Sequence, residues 1–305
     1  MRIVLFGQAA FGQKVLEALN ERGEEIVAVY TPPDSPDRPD PLKEKALELG
    51  IPVRQPKRLR DPEVYEENKK FNADLNVMAF VTDIMPESII THPKYGTIMY
   101  HPSLLPRHRG GSAINWAVIN GETKTGVSII WPDSGLDTGP ILLQKEADIA
   151  PDDTVGSLYF NKLFPLGVDA IVESIELIKQ GRAPRIPQDD SRATYEKLCT
   201  PEDAIIDWNQ PAGRVYDLIR GTNPQPGAST RYGDTTLKIF DVELLDGVPA
   251  GQPGEVTGID DKGFTVAARG GSILVKRVQV KGSPKVAAAE FARQAGLKAG
   301  DRLGR

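Results

Sequence analysis

Residues 99–116 read Met99-Tyr100-His101-Pro102-Ser103-Leu104-Leu105-Pro106-Arg107-His108-Arg109-Gly110-Gly111-Ser112-Ala113-Ile114-Asn115-Trp116. A β-prone run over residues 96–100 delivers His101 at its carboxyl end, and Pro102, with no N–H to give to a ladder, stops the strand. An apolar loop from Ser103 to Pro106 follows, then a basic turn closed by Gly110 and Gly111. Ser112 opens a helix predicted over residues 113–120. A titratable ring at the end of a buried strand, facing a loop before a helix, stands where open α/β sheets bind ligands. A second stretch, residues 134–139 (SGLDTG), puts Asp137 on another loop between apolar strands.

Outward from that centre, the N-terminal segment predicts strand, helix and strand over residues 3–6, 11–19 and 26–30. The link between the first two, Gly7-Gln8-Ala9-Ala10-Phe11-Gly12, is a tight glycine turn but not GxGxxG. No acidic residue follows at dinucleotide spacing, so no nicotinamide cofactor is expected. Residues 31–41 (TPPDSPDRPDP) form an exposed loop, more acidic than basic. Helices over 42–49 and 61–71 alternate with strands at 51–53 and 75–80, which predicts a parallel sheet with right-handed crossovers.

Strands at 127–131 and 139–143 and one long helix over 155–180 complete a first domain, residues 1–180. Leu158, Leu163, Val168, Ile171, Ile175 and Ile178 recur along that helix at roughly helical spacing. A polar, proline-bearing linker covers residues 181–204. Residues 205–305 then read as a helix at 212–219 and β-prone runs at 228–232, 236–245, 254–259, 263–268 and 272–280. Glycine turns separate these runs, which predicts a small barrel or sandwich.

A length of 305 residues fits two domains, and 40% hydrophobic with 26% charged residues is the balance of a protein with a sizeable core. No apolar run approaches the roughly 18 residues that span a bilayer, so no membrane partner is expected. Residues 1–6 enter a strand directly, too early for a signal peptide. The single cysteine, Cys199, excludes an internal disulfide and a cysteine-rich metal site, and it points to a cytoplasmic location. With no histidine near it in sequence, Cys199 reads as a buried or surface residue rather than a nucleophile. Net charge is −5, and residues 201–305 carry 14 Lys and Arg against 13 Asp and Glu, so neither part offers the basic field of a tight nucleic-acid binder. That disfavours tRNA as a partner.

The three histidines separate by context. His92, before Pro93, reads as structural; His108, between two arginines, reads as exposed, with an anion contact as the alternative. On spacing alone, His101 would be a structural residue at a strand end and Asp137 a turn residue before Gly139. Their complementarity raises a second reading. A carboxylate beside an imidazole fixes its tautomer and favours its protonated form, which makes the pair a candidate general acid–base catalyst near neutral pH. One histidine and one aspartate are too few ligands for a typical zinc site, so no metal is expected.

His101-Pro102-Ser103-Leu104-Leu105-Pro106, then Arg107-His108-Arg109-Gly110-Gly111 and Gly135-Leu136-Asp137-Thr138-Gly139, resemble the signature of the folate-dependent formyltransferase family. The resemblance runs from Gly7–Gly12 through Ala113-Ile114-Asn115-Trp116 to Asp207-Trp208 and Ile219-Arg220-Gly221. It is nearest to the hydrolase domain of 10-formyltetrahydrofolate dehydrogenase and extends to methionyl-tRNA formyltransferase. It implies a Rossmann-like, mostly parallel α/β sheet domain followed by a C-terminal β-barrel of the formyltransferase type. It also implies 10-formyltetrahydrofolate as the formyl-bearing substrate, His101 as general acid/base and Asp137 as the essential carboxylate. Asp83, Ile84 and Met85 fall in a folate-contacting segment, and Ser103, Leu104, Leu105 and Pro106 in the loop beside the pterin. Phe80, Ile84 and the leucines would supply apolar walls for the flat heterocycle.

The family usually carries Asn two residues before the histidine, where its amide helps to hold the oxygen of the tetrahedral intermediate. Met99 stands there and cannot donate, as in the dehydrogenase's hydrolase domain, where the residue is also apolar. Met99 thus marks the position that selects the formyl acceptor. The implied reaction is hydrolysis of 10-formyltetrahydrofolate to formate and tetrahydrofolate. The alternative is formyl transfer to an amine, on methionyl-tRNA or an amino-sugar nucleotide; a folate-binding sensor without catalysis is the reading from another class. No segment of the 305 residues has room for carrier and aldehyde-dehydrogenase modules, so oxidation of the formyl group is not expected of it.

Overall fold

The computed structural model describes residues 1–35, 39–247 and 250–304, so positions 36–38 of the proline- and aspartate-rich loop lie outside the described residues. β1 (Arg2–Gly7) is buried throughout its apolar centre, as a parallel strand covered on both faces must be. α1 (Ala9–Glu21), β2 (Glu25–Tyr30), α2 (Pro41–Glu48), β3 (Val53–Arg54), α3 (Pro62–Lys70), β4 (Leu75–Ala79), α4 (Glu87–Thr91) and β5 (Thr97–His101) continue the alternation. β6 (Arg109–Gly110), α5 (Ala113–Ile119), β7 (Lys124–Ile130), β8 (Ile141–Asp148), α6 (Val155–Leu158), α7 (Phe164–Lys179) and β9 (Tyr195–Glu196) follow. The remainder comprises α8 (Ala212–Gly221), β10 (Ala228–Tyr232), β11 (Thr235–Ile239), β12 (Val242–Asp246), β13 (Val256–Ile259), β14 (Phe264–Ala268), β15 (Gly271–Val275), β16 (Arg277–Val280), β17 (Val286–Ala287) and α9 (Ala288–Ala295).

The chain divides into two compact units, Met1–Gly110 with Gly126–Ala147 and Asn161–Tyr195, and Gly111–Thr125 with Asp148–Phe160 and Glu196–Arg305. The first unit is built on a seven-stranded sheet of order β3-β2-β1-β4-β5-β7-β8. β3, β2, β1, β4 and β5 are mutually parallel, and the order reverses between β1 and β4, so a crevice opens beyond their carboxyl ends. β7 departs from the parallel reading: it runs antiparallel to β5, with His101 opposite Ser128. Handed crossovers arise when a helix packs back on the sheet. Here the intervening helix, α5, packs against α8 instead, so nothing forces a parallel return.

The long helix expected over 155–180 is broken. α6 is a single turn with a Thr154–Ser157 capping box, a wider π turn occupies Tyr159–Leu163, and α7 starts afresh at Phe164. Pro165 has no N–H for the hydrogen-bond ladder, and its ring crowds the preceding turn, which explains the break.

The second unit's β-structure is two four-stranded antiparallel sheets, β10-β11-β16-β17 and β12-β15-β14-β13, in a barrel-like arrangement around Trp208, Leu237, Ile239, Phe264, Val266 and Val275. Two runs that read as single strands each divide between the sheets. Phe240-Asp241 and Lys276-Arg277 form the corner, with Phe240 N–H bonded to the Arg277 carbonyl and Lys276 N–H to that of Asp241. α9, absent from the sequence reading, is closed by Gly296 in the left-handed region at φ +66. Among the described residues no helix is long and apolar enough to cross a membrane.

Candidate active site

Alternation along β5 sorts its side chains. Tyr100 packs on Phe11 at 4.4 Å between ring centroids with the planes tilted by 32°, in space kept by Gly167, where a Cβ would come within 2.5 Å of the tyrosine ring. Met99 and His101 share the other face. Met99 packs against Leu105, Ile130 and Ile141 and against the core that includes Met78 and Met85. His101, at the strand end, is 6% exposed.

Both ring nitrogens of His101 face acceptors. Nε2 lies 2.8 Å from the His108 carbonyl oxygen, which can only accept, so Nε2 carries a proton. Nδ1 lies 3.5 Å from Asp137 Oδ2. An imidazolium, with protons on both nitrogens, satisfies both contacts at once. The same Oδ2 accepts the Gly110 N–H at 2.7 Å. Oδ2 thus gathers both contacts.

The loops that frame the pair hold unusual backbone. Ala9, Phe80, His108 and Asp137 all have left-handed φ, between +56 and +64. Such conformations cost free energy for residues with a Cβ and persist where the surroundings over-determine them. The supports are specific. Ser128 Oγ donates to the Ser103 carbonyl and accepts the Leu105 N–H, while Gln144 Nε2 donates to the Leu105 carbonyl and to Ser128 Oγ. Gly126 opposes Leu104, whose side chain lies 2.6 Å from where a Cβ would stand. His108 N–H bonds Thr194 Oγ1, and Arg109 N–H bonds the Thr194 carbonyl.

The segment 181–194, expected as linker, is fastened to this loop. Ile186 pairs with Ile141, and Gln188 donates to the carbonyls of Asp137 at 2.8 Å and Gly139 at 2.7 Å. Gln188 Oε1 in turn accepts from Arg109, which is 1% exposed and also bonds Asp190 and Tyr195. Burial pulls the Arg109 guanidinium toward neutrality, and Asp190 and Tyr195 outweigh that, so it stays protonated. Gln188, Ser128 and Gln144 carry no sequence motif, and Arg109 falls in the quoted signature with no role attached to it. Only the basic turn around Arg109 gave any signal.

The remaining expected residues scatter by depth. Phe80 and Asp83 line a cleft of about 180 Å³ with Phe6, Gly7, Tyr30 and Leu59. The Asp83 carboxylate accepts from the Leu59 and Ile84 amides, so it braces its own loop. Ile84 is 71% exposed, whereas Met85 lies in the core. Ser103 and Leu105 are buried under the loop, and Pro106 accepts the Thr194 N–H. His108, expected as an exposed residue, is buried at 4%: its left-handed backbone turns the side chain inward. His92 is exposed and packs edge-on against Tyr65. Cys199 is half-buried, and burial pushes its thiol up to about 11, which leaves it protonated at neutral pH.

At the glycine turn, the Asp40 carboxylate accepts the Ala9 N–H at 2.8 Å as well as capping α2 through Leu42. An anionic group of the protein therefore already answers the amide where a dinucleotide fold would offer it to a phosphate. Among the described residues no group of three or more His, Cys, Asp or Glu could hold a metal ion.

A Rossmann-like sheet carrying a buried imidazole–carboxylate pair at its carboxyl edge, followed by an antiparallel barrel-like unit, defines a class of two-part α/β enzyme. Family models described as formyl transferase and formyl transferase C-terminal domain match residues 1–175 and 199–296, and the chain belongs to the formyl transferase family. It is 41% identical over 314 residues to the cytosolic 10-formyltetrahydrofolate dehydrogenase of Homo sapiens, which covers 95% of this chain and 34% of that protein. The chain thus spans about a third of the length of the dehydrogenases it matches. It is 38% identical over 310 residues to the methionyl-tRNA formyltransferase of Geotalea daltonii, covering 100% of this chain and 98% of that one. In fold it is similar to HypX from Aquifex aeolicus in complex with tetrahydrofolic acid, at TM-score 0.71 and 20% identity over 98% of this chain and 48% of that chain. It is likewise similar to WlaRD, a sugar 3N-formyl transferase, at TM-score 0.67 and 18% identity over 93% and 99%.

Proposed function

We propose that this chain hydrolyses 10-formyltetrahydrofolate to formate and tetrahydrofolate. The observation that carries the reading is the buried His101–Asp137 pair with Met99, a side chain that cannot donate, on the same face of β5. Membership of the formyl transferase family and the likeness to a 10-formyltetrahydrofolate dehydrogenase support the substrate.

In this reading the formyl carbon sits over the carboxyl edge of the sheet, and the exposed faces of Phe80, Ile84 and Leu104 wall the pterin. Asp137 Oδ1 takes a proton from water as the water oxygen attacks the formyl carbon. The oxyanion of the tetrahedral adduct then re-forms the carbonyl as the C–N10 bond breaks, the bonding pair goes to N10, and N10 takes its proton from His101 Nδ1, the ring nitrogen whose 3.5 Å contact is the looser of the two. Formic acid loses its remaining proton to solvent and leaves as formate together with tetrahydrofolate, and the Asp137 proton returns to His101. Without an amide at residue 99, the adduct's oxygen depends on His101 and on backbone donors, since losing one oxyanion donor costs roughly 10²–10³ in rate.

Transfer to an amine is the second reading, favoured by the near full-length match to a methionyl-tRNA formyltransferase. Net charge of −5 weighs against a tRNA acceptor. The deciding experiment supplies 10-formyltetrahydrofolate labelled at the formyl carbon, alone and with methionyl-tRNA or an amino-sugar nucleotide. Label in formate at the same rate with and without amine is the expected result. Label carried mainly into an amide would replace hydrolysis by transfer, and intact substrate throughout would leave a folate-binding protein without catalysis.

A further inference from the structure

We propose that Arg109 and Gln188 form a buried bracket that positions the His101–Asp137 pair, fixing the spacing and orientation of the two side chains from behind. The inference rests on the proposed function only in giving that pair the chemistry.

The hydrogen bonds close a ring. On either side of Arg109 the main chain touches the pair: the His108 carbonyl takes the His101 Nε2–H, and the Gly110 N–H binds Asp137 Oδ2. The Arg109 side chain turns away from both and lays Nε and Nη2 on Gln188 Oε1, at 3.1 and 2.8 Å. Gln188 Nε2 then spends both of its protons on the main chain of the other loop, at the Asp137 and Gly139 carbonyls. The amide is saturated, two bonds accepted and two donated, so its orientation is determined. Tyr195 Oη fixes the remaining guanidinium arm at 2.7 Å. Asp190, whose side chain is 81% exposed, adds a solvent-screened contact.

Geometry argues that this ring positions rather than merely packs. His101 and Asp137 are 3.5 Å apart, beyond the usual charge-assisted hydrogen-bond length, so their mutual attraction does not by itself set the distance. His108 and Asp137 both hold left-handed backbone, and each is tied into the ring by its carbonyl: that of His108 takes the His101 Nε2–H, and that of Asp137 takes a Gln188 proton. A misplacement of about 1 Å at a reacting group costs on the order of 10² in rate.

The test is Gln188→Glu, which keeps the size and the acceptor for Arg109 but cannot donate to the two carbonyls. The chain has three histidines, so nitrogen-15 spectra of the imidazoles resolve His101 without any folate present. The expected result is exchange of the His101 Nε2 proton at least about tenfold faster than in the parent. The kcat for formate release should fall about 10- to 100-fold, with KM for 10-formyltetrahydrofolate within about threefold. Should that variant fail to fold, Arg109→Lys, which keeps the charge but loses the fork, is read by the same two measurements. Unchanged ring-proton exchange and unchanged kcat in a folded variant overturn the bracket. The ring measurement stands apart from turnover: altered exchange in an enzyme whose parent releases no formate would overturn the hydrolytic reading and leave the bracket standing.

Discussion

Asp137 Oδ2 accepts the Gly110 N–H at 2.7 Å and faces His101 Nδ1 at 3.5 Å, so one carboxylate oxygen joins the loop after β5 to the imidazole at its end. Asp137→Asn keeps the shape, and its amide oxygen can still accept from Gly110, but it removes the charge that faces the ring and the base that takes a proton. His101→Ala removes the proton donor. Each variant is expected to lower turnover on 10-formyltetrahydrofolate by about 10²–10⁴ while its melting temperature shows a folded protein. Near-parental turnover in either would strip that residue of its role.

Met99 is half-buried between Leu105, Ile130 and Ile141. Met99→Asn places an amide two residues before His101, on the same face, where it can donate to an oxyanion. The expected outcome is a larger share of formyl carbon delivered to an added amine. It comes with a stability cost of about 1–3 kcal/mol for burying a polar group among apolar neighbours. A product ratio unmoved by the substitution would show that residue 99 does not choose the acceptor.

The apolar strands made much of the fold legible. Ile3–Phe6 and Leu75–Ala79 are buried on both faces and read as hydrophobic runs, the second broken only by Asn76, whose amide donates to the Ile89 carbonyl. The breaks were harder to see. Pro165 interrupts a helix whose apolar spacing continues across it, and Phe240-Asp241 turns a barrel corner inside an unbroken β-prone run. At the site, His101 and Asp137 stood out as titratable groups after apolar strands. Arg109 and Gln188 did not, because their role comes from hydrogen bonds across 79 residues of chain, and no local pattern records such a separation.

Gly139 follows Asp137 by two residues, and a Cβ there would overlap the Trp131 carbonyl oxygen. Its own carbonyl is one of the two that Gln188 grips. Gly139→Ala is therefore expected to displace the loop and destabilise the first unit by about 1–3 kcal/mol, read from the urea midpoint. Activity should fall by more than the folded fraction accounts for, because Asp137 moves with the loop. A variant with parental stability and rate would mean that the 131–139 segment relaxes without disturbing the carboxylate.

Cys199 offers a pH-dependent test with the opposite expectation. Burial disfavours the thiolate and pushes the group up to about 11 from an ordinary value of 9.0, with Asp203 pushing the same way and Lys197 opposing. The thiolate, not the thiol, reacts with iodoacetamide, so at neutral pH the native chain should label about a hundredfold more slowly than an unperturbed cysteine. The labelling rate should keep climbing toward pH 11 instead of levelling off near 9, while urea-unfolded chain labels at the ordinary rate. Mass spectrometry of the Cys199 peptide measures both. Because the thiol takes no part in the proposed chemistry, Cys199→Ser should retain turnover within about twofold. Fast labelling of the native chain at pH 7, or a tenfold loss of turnover in the serine variant, would place a reactive cysteine in the enzyme and reopen the assignment of its nucleophile.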